Sequence, residues 1–134
     1  MADQGEKKVQ LKDLPAAVQA TAKEQSRGAT VRGYTKEIEN GKPEYEVETV
    51  INGMTKDIAL DENGSVLEVE QQIELASLPA AAKAGLEKQA GQGKILKVES
   101  VTRGSNVSYE AVVMRGRKRS EVAITSDGKP AKED

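Results

Sequence analysis

The chain repeats itself at a fixed offset of 64 residues. The segment Leu-Pro-Ala-Ala at residues 14–17 returns at residues 78–81, and identical residues keep pairing at that offset without a gap. Other identical pairs include Leu11 with Leu75, Ala20 with Ala84, Gln25 with Gln89, Tyr45-Glu46 with Tyr109-Glu110, Ala59 with Ala123, and Gly64 with Gly128. An offset that never slips is typical of two copies of one supersecondary unit.

The length of 134 residues limits how independent two copies can be. A module much below about 60 residues buries too little surface to be stable alone, so we expect the two copies to stabilise each other and to move as one body. Aromatic residues make up only 2% of the chain, and Phe and Trp are absent. The predicted core therefore consists of Val, Ile, Leu, Ala and the three Tyr.

Each copy is predicted to begin with a short extended segment and a helix. Apolar residues recur at helical spacing after the Leu-Pro pair, and Asp or Ser stands just before that pair where an N-cap is expected. The predicted N-caps are Asp13 and Ser77, the first-turn prolines are Pro15 and Pro79, and the C-terminal glycines are Gly28 and Gly91.

Antiparallel strands follow each helix. The dipeptides Asn40-Gly41 and Asn52-Gly53 are strong signals for tight hairpins. Alternation places Tyr45 and Val47 on one side of the sheet, which is the side predicted to carry the helix. The predicted strands are residues 30–39, 44–51, 54–60 and 65–75 in the first copy and 94–102, 107–114 and 118–125 in the second.

These patterns predict an α+β protein of two tandem repeats, each a helix packed on an antiparallel β-meander. The predicted organisation is a disordered tail at 1–7, a first repeat at 8–64, a shared connecting strand at 65–75, a second repeat at 76–128 and a polar tail at 129–134. The closing strand of the second copy is expected to be missing, because the tail is polar and contains Pro130.

The helix opening with Leu-Pro, the Tyr-Glu-Val strand and the Asp-x-x-Gly-x-Val-Leu turn resemble the PepSY family. The residues that carry the resemblance are Leu14, Pro15, Tyr45, Glu46, Val47, Asp61, Gly64, Val66 and Leu67. Two copies in tandem look most like the PepSY-like group that shares the architecture of the β-lactamase inhibitor proteins. The resemblance implies a secreted or periplasmic bacterial protein related to protease propeptides, inhibitors or sensors, whose signal peptide has been removed.

The composition argues against several classes of function. The chain has no His and no Cys, which removes the commonest general base, thiol chemistry and the disulfide-bonded loops of the β-lactamase inhibitor proteins. We therefore expect no enzyme activity, catalytic residue, metal site or cofactor, and we do not expect lactamase inhibition. The net charge of −2 gives no overall attraction to nucleic acid, and no apolar run approaches the length of a membrane span.

The sharpest local feature is a cluster of cations at residues 115–119, Arg-Gly-Arg-Lys-Arg, in a predicted hairpin tip. The matching residues of the first copy are neutral, so folding does not require the charges. A solvated turn whose charges prevent edge pairing is the alternative interpretation. With the apolar residues beside the tip, the predicted partner-binding set is Val112, Met114, Arg115, Arg117, Lys118 and Arg119.

The favoured function is binding or inhibition of a protein partner, with a peptidase among the candidates, through the sheet face away from the helices. The alternative is a periplasmic sensor of a small molecule or calcium, with a pocket between the repeats or oxygen ligands near Asp61, Glu62 and Asn63. A third possibility is a structural or propeptide-like fragment with no partner of its own. The first meander is rich in Glu while the cations collect in the second. Two interpretations stay open, alignment of the halves or of two molecules, and ordinary variation of surface residues. The expected state is a monomer or weak dimer.

Overall fold

The computed structural model describes residues 4–131, in an α+β fold of eight antiparallel strands and two α-helices. The chain divides into two compact units, Met1–Glu70 and Gln71–Asp134. The elements are β1 Gln4–Val9, α1 Ala16–Gln25, β2 Thr30–Glu39, β3 Lys42–Ile51, β4 Met54–Asp61, β5 Val66–Ile73, α2 Ala80–Ala90, β6 Lys94–Arg103, β7 Asn106–Arg115 and β8 Lys118–Thr125. Neither helix in the described chain is long and apolar enough to span a bilayer.

The elements of the second unit follow those of the first at a constant distance. The helix α2 and the strands β6, β7 and β8 each start 64 residues after α1, β2, β3 and β4. Strand neighbours in each unit follow the order of the chain, as in a meander. The strand β5 contains the boundary between the units, which lies after Glu70.

The hairpin turns form where the sequence predicts them. Asn40 and Gly41 have φ values of 53° and 77°, and Asn52 and Gly53 have φ values of 51° and 79°. Two successive left-handed residues match the right-handed twist of the flanking strands. Because these turns fix the register, Tyr45 lies opposite Leu60 and Val47 opposite Ile58 in the β3–β4 pair.

Each unit has its own hydrophobic core between the helix and the tyrosine side of the strands, as predicted. In the first unit, the helical stripe Leu14, Val18 and Ala22 is buried with Tyr45, Val47, Ile58 and Leu60. In the second unit, the core consists of Leu78, Ala82, Leu86, Ala90, Val98, Ala111, Val113 and Ile124. The strand β5 contributes Val69 to the first core and Ile73 to the second.

A glycine after β4 and another after β8 bring the chain against the helix of the same unit. Gly64 has φ +81°, and a Cβ on it would lie 2.5 Å from the carbonyl oxygen of Ala17 in α1. The Thr21 hydroxyl donates to the carbonyl oxygen of Gly64 at 2.7 Å. Gly128 has φ +85°, and a Cβ on it would collide with the carbonyl oxygen of Ala81 in α2. Only a residue without a side chain permits this approach.

The helices begin later than predicted. Residues Leu11–Asp13 and Leu75–Ser77 form single-turn 3₁₀ helices, and α1 and α2 start only after Pro15 and Pro79, which are the N-cap residues. Asp13 does not cap α1, because its carboxylate accepts the backbone N–H of Gln10 at 3.0 Å. The placement of Asp13 and Ser77 as α-helical N-caps was therefore wrong.

The prediction about the start of the chain also needs correction. Residues 1–7 were predicted to be a disordered tail, but residues 4–7 belong to β1. This strand pairs with β2, where Gln4 lies opposite Ile38 and Val9 lies opposite Tyr34. Their polar side chains lack the apolar alternation by which a strand is predicted, and backbone pairing with β2 holds the strand.

At the C-terminal end, Lys129 and Ala131 lie beside β8. The Lys129 carbonyl accepts from the Thr125 N–H at 2.8 Å, and the Ala131 N–H donates to the Ala123 carbonyl at 2.9 Å. These bonds flank an isolated bridge between Ile124 and Pro130, and no closing strand follows β8 within the described residues. Residues 1–3 and 132–134 lie outside the described chain.

Candidate functional site

The predicted partner-binding residues all lie on the β7–β8 hairpin of the second unit. The strands are joined at Gly116 and Arg117, and Arg115 lies directly opposite Lys118. Directly opposed residues of an antiparallel pair share one face of the sheet. The register therefore divides the predicted set into a group on the helix side and a group on the opposite side.

Arg115 belongs to the helix side, with Ala111 and Val113. Its guanidinium donates to the backbone carbonyl of Gln89 in the last turn of α2 at 2.6 Å and to the Ser120 hydroxyl at 3.1 Å. The final carbonyls of a helix have no intrahelical partner, and a cation near them also interacts favourably with the helix dipole. Arg115 therefore acts as a side-chain cap of α2. It shares the helix side with Lys118, which lies opposite it, and is separated from Val112, Met114 and Arg119.

Replacing Arg115 by Ala should lower the free energy of unfolding by about 1 kcal/mol, because the Gln89 carbonyl loses a charged donor. Urea denaturation of the two proteins measures this difference. Arg117→Ala is the matched control, since Arg117 is exposed and hydrogen-bonds to no described residue, and it should change stability by less than about 0.5 kcal/mol. Equal effects of the two substitutions would remove the capping role.

Val112 and Met114 lie on the face away from the helix. Met114 is flanked by Lys94 on β6 and Arg119 on β8, and Val112 is flanked by Lys97 and Glu121. The β6–β7 register shifts between Ile95 and Lys97. Such a bulge sets two residues, Leu96 and Lys97, opposite Val112.

We call the resulting surface the Met114 patch. Its members are Leu96, Val112 and Met114 with the cations Lys94, Lys97 and Arg119. Leu96 is 44% exposed, the largest value among the exposed large hydrophobic residues of the described chain. Val112 and Met114 are partly buried. Three cations and one carboxylate, Glu121 beside Val112, border these apolar residues. An apolar surface with a polar rim is typical of a protein-binding site.

Most cations around this patch have no partner. Arg117, Lys118 and Arg119 are exposed, and their side chains make no ion pair or hydrogen bond within residues 4–131. Lys97 differs, because its ammonium lies 3.9 Å from a carboxylate oxygen of Glu99. The tip therefore presents three adjacent cations that no described acidic side chain neutralises.

The corresponding face of the first unit carries the opposite charge. Glu46 lies opposite Thr35 and Ala59, both buried, and is itself half-buried. Burial raises the pKa of the Glu46 carboxyl to about 7, and the nearby carboxylates add to the shift. Those carboxylates are Asp57, Glu6, Glu48 and Glu68. Protonation of Glu46 near neutral pH relieves part of this repulsion.

The turn at residues 61–64, where oxygen ligands for calcium were considered, uses Asp61 to close itself. One carboxylate oxygen of Asp61 accepts the backbone N–H groups of Asn63 and Ser65, both at 2.9 Å. The matching residue of the second unit is Thr125, whose hydroxyl accepts the Lys129 N–H at 3.2 Å. Closing the turn explains why an oxygen acceptor stands at both positions.

Three members of the Met114 patch were missed from the sequence. Lys94, Leu96 and Lys97 join the predicted Val112 and Met114 only because of the β6 bulge. The first unit has the same bulge between Val31 and Gly33, and a glycine in a strand is a signal for such a bulge. Lys97 stands at the position of Gly33 in the second copy, so the signal is absent there.

Comparison with known proteins gives the fold but no family. No family model matches the chain, and no curated protein matches it. A protein from Bacteroides eggerthii, assigned provisionally to the periplasm, superposes with a TM-score of 0.72 at 16% identity over 89% of this chain and 86% of its own. A DUF2874 family protein from Bacteroides ovatus superposes with a TM-score of 0.69 at 18% identity, covering 89% and 85%.

A third solved structure is a BLIP-like protein from Bacteroides fragilis. It superposes with a TM-score of 0.66 at 18% identity, over 90% of this chain and 85% of its own. Coverage is nearly complete in all three cases, so the likeness extends over both units. The chain has a BLIP-like α+β fold.

Proposed function

We propose that this chain is a non-enzymatic protein of the periplasm or extracellular space that binds or inhibits a protein partner, a peptidase being one candidate. The Met114 patch and the adjoining cations Arg117 and Lys118 are the proposed contact surface. The observation that carries the proposal is an apolar patch on the face away from the helix, beside a hairpin tip where the side chains of Arg117, Lys118 and Arg119 pair with no described acidic residue.

The charge distribution supports a binding role over a purely structural one. The second unit carries Arg117, Lys118 and Arg119 where the first has Gly53, Met54 and Thr55, so the same hairpin forms without these charges. Cations at the rim of an apolar patch increase the association rate with an acidic partner and exclude basic ones. The periplasmic assignment of the Bacteroides eggerthii protein and its similar fold support a location outside the cytoplasm.

We further propose that the chain is a tandem duplication of a PepSY-like unit. The constant 64-residue spacing between matching elements supports this origin. The turns closed by Asp61 and Thr125, each followed by a glycine packed on its helix, support it independently. Duplication would also account for one unit keeping a neutral hairpin while the other acquired the basic tip.

Replacing Arg117, Lys118 and Arg119 together by Ala should abolish capture of the partner from an envelope extract. The tagged protein and the variant are used in parallel, captured proteins are identified by mass spectrometry, and the purified candidate is titrated by calorimetry. Loss of three rim cations is expected to weaken binding by at least about tenfold, with the effect decreasing at high salt.

The matched control replaces Lys23, Arg27 and Arg32, which are also two Arg and one Lys and are exposed in the first unit. It changes the net charge equally but leaves the hairpin intact. If both triple variants retain the partner with unchanged affinity, the Met114 patch is not the contact surface. If both lose it equally, binding depends on net charge alone.

A further inference from the structure

We propose, resting on the partner-binding function above, that the partner is held as an extended acidic strand added to the outer edge of β8. Within the part of the chain that the structure describes, β8 is an outermost strand. Among residues 4–131, the backbone groups that bond to this outer edge lie at its end, where Ala123 and Thr125 bond to Ala131 and Lys129. The rest of the edge is available to a partner backbone.

The backbone hydrogen bonds at the end of β8 show which of its N–H and C=O groups point outward, away from β7. Ala123 and Thr125 direct their backbone groups outward, and outward positions alternate along an antiparallel strand. Arg119 and Glu121 therefore also present their N–H and C=O groups to the outside. Both side chains lie on the face of the Met114 patch, opposite Met114 and Val112.

In the first unit, the edge of β4 that corresponds to the outer edge of β8 is paired with another strand. There β4, the counterpart of β8, is followed by β5, its neighbour in the sheet. The β5 segment alternates Glu68 with Val69, and Val69 packs against the core under the helix. A strand of this pattern beside β8 would direct its acidic residues to the face that carries Arg119.

Charge determines the kind of strand expected. Lys118 and Arg119 stand on β8 where β4 has Met54 and Thr55, and Arg117 adjoins them at the turn. Cations on an open edge discourage pairing with ordinary or basic strands. An acidic segment is the favoured occupant, because its carboxylates form ion pairs with these cations when it adds to the edge.

The probe is a fluorescent peptide with the sequence of residues 65–73, Ser-Val-Leu-Glu-Val-Glu-Gln-Gln-Ile. Its binding to the full chain is followed by anisotropy, and the backbone contacts by amide hydrogen exchange. We expect saturable binding, with slower exchange of the Arg119 and Glu121 amides in the complex. Two altered peptides test the mechanism: one N-methylated at alternate residues, which removes strand hydrogen bonds, and one with Gln in place of both Glu. Each should bind at least about tenfold more weakly.

Several results would overturn the proposal. Equal affinity of the N-methylated peptide would exclude strand addition, and equal affinity of the Gln peptide would exclude acidic selection. Slow exchange of the Arg119 and Glu121 amides in the free protein would mean that the edge is already covered. Binding to phosphatidylglycerol vesicles without any peptide binding would assign the cations to a lipid surface instead.

The strand proposal and the wider function fail in different experiments. If the triple Ala variant loses its partner while no peptide binds, the contact surface stands and strand addition is wrong. If the peptide binds the β8 edge while capture of the partner is unaffected by the triple substitution, the edge is competent and the proposed contact surface is wrong.

Discussion

Substituting either Gly64 or Gly128 by Ala should lower the free energy of unfolding by about 3 kcal/mol. Two costs combine at these positions. The positive φ, +81° at Gly64 and +85° at Gly128, disfavours any residue with a Cβ. The new methyl group would also collide with a helix carbonyl, of Ala17 or of Ala81, and the helix must shift to admit it.

Gly53→Ala separates these two costs. Gly53 has nearly the same φ, +79°, but a Cβ on it would meet nothing within 4 Å. The control should therefore lose only the backbone contribution, about 1 kcal/mol. Chemical denaturation with one probe for all variants supplies the comparison. If Gly64→Ala and Gly53→Ala destabilise equally, the approach of the turn to α1 does not constrain the fold.

The second unit achieves the same approach with a different helix residue. In the first unit, the Thr21 hydroxyl meets the turn and donates to the Gly64 carbonyl. The matching residue of α2 is Gly85, and a Cβ there would collide with the carbonyl oxygen of Gly128. A glycine inside a helix costs about 1 kcal/mol relative to Ala, so close packing against the turn explains why it is tolerated.

Local chemistry made most of the fold predictable. The Asn-Gly pairs at 40–41 and 52–53 adopt the left-handed conformations that a two-residue hairpin requires. The alternation around Tyr45 and Val47 correctly placed the helix side of the sheet. Each of these signals depends only on residues that are neighbours in the sequence, so it can be interpreted without knowledge of the tertiary structure.

Features that depend on distant contacts were not predictable. Asp13 has the chemistry of an N-cap, but the preceding 3₁₀ turn uses its carboxylate, and Pro15 takes the cap position. Arg115 looks equivalent to its basic neighbours, yet its bond to Gln89 removes it from the exposed cluster. The Met114 patch could be identified only from the register of β6 against β7, because the bulge in β6 shifts that register by one residue.

The two units show how one backbone pattern carries opposite charge. Glu46 and its neighbouring carboxylates occupy the face of the first unit away from its helix, whereas the Met114 patch occupies that face of the second. Residues on this face tolerate a change from acidic to basic because the helix and the hydrophobic core pack against the other face of the sheet. The acidic face still has an energetic cost, which depends on pH.

Replacing Glu46 by Gln should stabilise the protein at pH 8 and have little effect at pH 5. Burial holds the pKa of this carboxyl at about 7 in the folded chain, above the ordinary value of 4.5. The folded state therefore binds the proton more tightly than the unfolded state does, so the stability that this proton contributes is greatest below about pH 4.5 and is lost as the pH rises through about 7. Gln cannot ionise, so the variant lacks this loss.

The expected gain at pH 8 is about 1 kcal/mol, because Glu46 is only half-buried and solvent screens much of the repulsion. Urea denaturation at several pH values between 5 and 8 measures how the difference between variant and parent develops. Glu24→Gln, at an exposed position of α1, removes the same charge and should give a difference that does not vary with pH. A Glu46→Gln difference that is likewise constant would mean that Glu46 does not titrate in this range, and the acidic face would then carry its charge without this cost.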